Sequence, residues 1–163
     1  MDLKKGKQIF FKYNGSHFHI DRECPNEYKQ CRVPKDVEQQ WLEEIKINSL
    51  RNISVERGHN KVILINHYIQ LLDNNSAVRF LIDSLNQTDL DTFSMIILAE
   101  TLRHYVSKNI PEQLKQESNK LLLMLKKKML NGEIEVDETY KKNPYMKDYD
   151  FTKENIIKRI NKL

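Results

Sequence analysis

Residues 13 to 31, YNGSHFHIDRECPNEYKQC, bring His17, His19, Asp21, Cys24 and Cys31 into one short stretch. Imidazole nitrogens, a carboxylate and thiolates are the donors that hold zinc and other transition metals. On an extended strand alternate side chains share a face, so His17, His19 and Asp21 would leave the same side. With the two cysteines the pattern becomes H-x-H-x4-C-x6-C, a four-ligand set for zinc or the start of a metal-dependent active site. Two features weigh against it. Neither cysteine spacing is the tight C-x2-4-C hook of structural zinc sites, and Lys12 would sit opposite His17. The simpler expectation is a solvent-facing strand with imidazole and aromatic pairs, which needs no metal. The C-x-x-C spacing that tunes a thiol pKa is also missing, so a redox pair is not expected.

The other histidines stand alone. His67 falls in an apolar helical run, and His104 follows Glu100 by one turn, an ordinary helix-surface pairing. Glu56 and His59 spell one E-x-x-H, but Gly58 interrupts it, and a di-iron bundle needs two such pairs on helices. No H-E-x-x-H can be written for a zinc protease. With only four glycines, at positions 6, 15, 58 and 132, neither G-x-x-x-x-G-K nor G-x-G-x-x-G exists. A G-x-S-x-G elbow is missing too. The familiar routes to nucleotide and serine-hydrolase chemistry are therefore closed. The chain is expected to act without a catalytic residue or a cofactor.

Two basic stretches are candidates for binding. Lys126, Lys127 and Lys128 close a helix, where cations favour the C-terminal dipole. Tyr140, Tyr145 and Tyr149 interleave with Lys141 and Lys142, a composition able to stack bases or to meet a protein partner. The same aromatics would serve equally to dock a polar segment onto a helical body, the reading that Asp148 and Asp150 favour.

The elements that position these residues divide the chain. Residues 1–33 read as β and irregular, because KQIFFKY and SHFHID flank Asn14-Gly15, a strong hairpin signal. The expected register pairs Ile9 with Ile20 and Phe11 with Phe18 on an apolar face, leaving His17 and His19 on the polar one. From Pro34 to Gly132 the periodicity is helical. Residues 60–73 read as a buried central helix, Ser76 as a cap for the next, and Thr88 or Asp89 as a cap for 90–108. Pro111 opens a long helix that Gly132 ends. Residues 133–163 are a polar segment and a last amphipathic helix. The fold expected is mainly α with an α+β cast: one domain over 1–163, a β-hairpin attached to an irregular bundle or repeat-like array of about six helices.

Composition supports an ordinary globular chain. The 163 residues are 39% hydrophobic and 31% charged, with a net charge of +4 from 27 basic and 23 acidic residues. That is mildly basic, and the excess of lysine over arginine weakens a nucleic-acid reading. No apolar run nears the roughly 18 residues of a membrane span, and the N-terminus lacks a signal-peptide pattern. A cytoplasmic protein that meets no membrane is expected. The function expected is a non-enzymatic interaction or accessory module whose partner is another protein, bound through a helical surface. The alternatives are nucleic-acid binding by the hairpin and the Tyr/Lys segment, and a zinc domain or metal enzyme centred on His17 and His19.

Overall fold

Asn14 and Gly15 both have positive φ, 49° and 71°, as an Asn-Gly pair allows, yet the turn they make joins two helices. In the computed structural model, which describes residues 2–87 and 89–163, the N-terminal hairpin is replaced by α1 (Leu3–Lys12) and α2 (His17–Glu23). The Gly15 N–H donates to Phe10 O at 2.8 Å and the Asn14 N–H to Phe11 O at 3.1 Å. These two bonds are the Schellman closure of a helix, with Asn14 in the left-handed position that normally takes glycine. Ser16 then caps α2 by accepting the His19 N–H. Asn-Gly thus serves as a helix stop followed at once by a helix start. Among the described residues there are ten α-helices and no strand.

The correction has a direct effect on side-chain directions. Residues two apart on a helix point about 200° apart, not to one face. Phe18, expected inside, is 71% exposed, while Ile20 is fully buried.

Two compact units make up the chain, Met1–Arg51 and Asn52–Leu163, and the boundary falls within α4 (Lys35–Val55). The first unit holds α1, α2, α3 (Pro25–Cys31) and most of α4. Pro25 occupies the first position of α3, where its missing N–H costs nothing. The Pro34 carbonyl accepts the Glu38 N–H that starts α4. Among the described residues, Phe10, Ile20, Tyr28, Cys31, Trp41 and Ile45 are the buried apolar residues of this unit. The Phe10 ring lies 5.8 Å from Trp41 and 6.2 Å from Tyr28. Gly6 lets α1 approach the end of α3 and the residues just after it, since a Cβ there would meet Cys31 Cβ at 3.3 Å and Val33 Cγ2 at 2.6 Å.

The second unit is a helical bundle. Its elements are α5 (Gly58–Ile69), α6 (Asn74–Leu85), α7 (Thr92–Val106), α8 (Glu112–Asn131), α9 (Glu138–Lys141), a 3-10 turn at Pro144–Met146, and α10 (Lys153–Asn161). The central helix is α7, not the expected 60–73: α7 packs against α5, α6, α8 and α10. A stacked array would give each helix pair only its sequence neighbours. Phe93, Ile96, Leu98 and Leu102 of α7 are fully buried, whereas Ile63 and His67 of α5 face solvent. Asp73, rather than Ser76, caps α6, and Asp91, rather than Asp89, caps α7; Thr88 lies outside the described residues. Gly132 does follow α8, in extended backbone rather than left-handed.

Candidate functional site

Folding α2 as a helix separates the proposed metal ligands. His17 turns toward α3 and α4, where its Nε2 lies 3.3 Å from Glu38 Oε2. Its ring stands edge-on to Phe10 and Tyr28 at 5.9 Å from each. His19 instead turns back on its own cap, with Nδ1 2.9 Å from Ser16 Oγ. Asp21 is exposed. Cys24 and Cys31 are both free thiols; Cys31 is buried and donates to the Glu27 carbonyl oxygen. Among the described residues no group of three or more His, Cys, Asp or Glu converges as a metal site would require. What the structure does assemble here is a polar bridge over an aromatic core. Tyr28 donates to Glu38 Oε1 at 2.6 Å, and burial together with that bond pushes its phenol well above the ordinary tyrosine range. A recess of about 290 Å³ opens beside it, with Phe10, His17, Lys35 and Glu38 in its lining.

The tyrosines of the C-terminal segment have three different fates. Tyr140 is fully buried, its ring 4.8 Å from Phe93 and 5.1 Å from His59. Its hydroxyl meets Ser94 Oγ at 3.0 Å, and Ser94 Oγ donates in turn to the Asp91 carboxylate. Burial pushes the Tyr140 phenol up. Tyr149 is half-buried against Phe93 and Phe151. Tyr145, by contrast, is 98% exposed. Lys141 pairs with Glu138 at 2.8 Å, and Lys142 is exposed.

Backbone bonds strap the same segment down. The His59 N–H donates to Thr139 Oγ1 at 2.9 Å, and the Glu135 N–H to Thr92 Oγ1 at 3.0 Å. The His59 ring is bonded to the Asn143 amide. Arg159 of α10 makes two 2.6 Å bonds to Glu100, which hold its guanidinium charged, and stacks its cation 5.1 Å from the Phe93 ring centre. His104, the partner expected for Glu100, is exposed. These groups are linked and satisfied, as structural networks are. Among the described residues no buried side-chain nitrogen or oxygen lacks a partner.

A different surface is left without cover. On α8 the buried stripe is Leu114, Ser118, Leu121, Leu122, Leu125 and Met129. Leu123 and Met124 point the other way, 64% and 54% exposed, and Leu130 follows at 42%. An open depression on this outer face is lined by Gln116, Asn119, Lys120, Leu123, Met124 and Lys127. The signal for it was in LLLML, residues 121–125. Five consecutive apolar residues span more than a full turn, so one buried stripe cannot take them all. No family model, curated protein or solved structure matches the chain. Among the described residues no helix is long and apolar enough to cross a membrane.

Proposed function

We propose that this chain is a non-enzymatic interaction module that binds another protein through the outer face of α8. The observation carrying the reading is the run of Leu123, Met124 and Leu130, solvent-exposed on a helix whose opposite face is fully engaged in the core. Single exposed apolar residues are commonplace, but three along one helix face form the patch that helix-in-groove and helix-on-helix recognition use. The helices behind it are fixed by caps, stacked aromatics and the Arg159–Glu100 pair, so the face is presented by a rigid support. Two free cysteines fit the cytoplasmic location that goes with this reading. The nucleic-acid alternative loses support, since its hairpin is helical and Tyr140 is buried. The metal alternative loses support with the separation of His17 from His19.

A photo-crosslinking side chain placed at position 123 or 130, with Asp83 on α6 as a control, tests the reading in the native cell. Discrete protein adducts from 123 and 130 alone are expected. Adducts equally frequent from position 83, or none from any position, would remove this face as the contact surface.

A further inference from the structure

We infer that the occupant of the α8 face is an amphipathic helix of another protein, carrying acidic side chains one heptad apart. The inference rests on the interaction reading above and adds the chemistry of the partner. Gln116, Lys120, Leu123, Lys127 and Leu130 succeed one another at intervals of four and three residues, the spacing that keeps a stripe facing a second helix. Within that stripe Leu123 and Leu130 are one heptad apart, and so are Lys120 and Lys127. A partner helix laid along it would meet lysine and leucine in alternation.

Beyond Glu117, an exposed acid beside the N-terminal end of the stripe, the charge around it is one-sided. Residues 118–131, SNKLLLMLKKKMLN, contain Lys120, Lys126, Lys127 and Lys128 and no acidic residue. Those four lysines equal the net charge of +4, so the other 23 basic residues balance the 23 acidic ones. Lys126 is turned aside to donate to Asn161 O at 2.7 Å. Among the described residues Lys120 and Lys127 enter no ion pair. Complementary charge at facing positions is what selects partner and register between helices.

Other occupants fit less well. A second copy of this chain laid antiparallel about Leu123 would set Lys120 against Lys126, with Lys127 one residue further along, and a parallel copy would set each lysine beside itself; like charges there oppose pairing. A helix lying on a lipid surface keeps its cations on the polar side of its apolar face, whereas here they sit between the leucines. A phosphate backbone would engage the lysines and leave Leu123, Met124 and Leu130 unused.

The test uses the full chain and three designed helical peptides. Each peptide places leucine opposite Leu123 and Leu130 and differs only opposite Lys120 and Lys127, with Glu, Gln or Lys there. Fluorescence anisotropy at low salt should show the Glu peptide binding about tenfold more tightly than the Gln peptide, and the Lys peptide weakest. Lys120→Glu combined with Lys127→Glu should invert that order, with circular dichroism confirming an unchanged fold. Equal binding of the three peptides, lost in Leu123→Asp, would keep the face as a contact surface but discard the acidic partner. The acidic partner is equally discarded by no peptide binding, or by tighter binding to phosphatidylserine vesicles or duplex DNA than to the Glu peptide. A concentration-dependent dimer abolished by Leu123→Asp would discard it in favour of a second copy.

Discussion

Lys61 Nζ lies 2.6 Å from Asp89 Oδ2, with the lysine side chain 4% exposed and the aspartate 50% exposed. The pair places a positive charge under the surface of the bundle and answers it from the rim. Asp89→Ala strands that ammonium, and should cost about 1–3 kcal/mol as an unsatisfied buried polar group does. Lys61→Met, in the Asp89→Ala background, should recover most of the loss by replacing the charge with an apolar side chain of similar reach. Chemical denaturation of the two variants checks both statements.

The same pair has an acid dependence whose sign is fixed. The hydrogen bond from Lys61 holds the Asp89 carboxyl below its ordinary value. A carboxyl depressed on folding contributes stability that is complete above its unfolded pKa, about 3.9, and that fades as pH falls through the lower folded value. The melting-temperature gap between wild type and Asp89→Asn should therefore be widest above about pH 5 and narrow in stronger acid. A gap that widens on acidification would contradict the pairing.

Gly15 has φ of +71°, and a Cβ there would come within 3.1 Å of both the Phe10 ring and Leu42 Cδ1. Gly15→Ala should cost about 1–2 kcal/mol through the left-handed backbone and the crowding together. Asn14→Gly, at φ 49°, should be neutral or mildly stabilising at the same helix stop. Thermal melts of the pair measure the positive-φ requirement, and the circular dichroism spectrum separates the helix stop from a hairpin, which would share that requirement but show strand signal.

Leu122 and Leu123 are adjacent in sequence, yet the first is 6% and the second 64% exposed. Leu122→Asp should unfold the bundle by burying an uncompensated charge. Leu123→Asp should stay within about 0.5 kcal/mol of wild type, as surface substitutions do. Comparable melting temperatures for the two variants would place α8 in another orientation.

Tyr140→Phe removes only the hydroxyl that meets Ser94 Oγ, and Ser94 keeps its bond to Asp91. A loss of about 1 kcal/mol is expected, against about 3–5 kcal/mol for Tyr140→Ala, which empties the space beside Phe93. Equal effects from both would mean that the ring contributes nothing.

The helical body was legible because its signals act locally and agree. Pro34 and Pro111 mark helix starts, and the apolar positions from Trp41 to Ile160 recur with helical spacing. Ile65, Ile69, Leu81, Leu85, Phe93, Leu102, Leu122, Leu125 and Ile160 are buried as that spacing requires. The first 33 residues were misread because Ile9, Phe11, Phe18 and Ile20 satisfy a two-residue period while Gly6 and Phe10 satisfy a helical one. Asn-Gly closes a hairpin and a helix with the same positive φ, so the turn did not arbitrate. What did bear on the choice was the lack of any third strand, since a two-stranded hairpin is marginal alone. Periodicity finds the stripe that a core consumes; the α8 face was missed because it consists of the apolar residues left over.

Trp41 is the only tryptophan in the chain, 7% exposed and 5.8 Å from the Phe10 ring. Light absorbed at the red edge, where tyrosine is transparent, is therefore emitted from one spot in the N-terminal unit. Its emission maximum and its access to iodide or acrylamide follow the packing of α1 against that indole. Far-ultraviolet ellipticity sums every helix instead. Recorded together during unfolding, the two signals distinguish loosening around α1 from loss of helix elsewhere, with no label added.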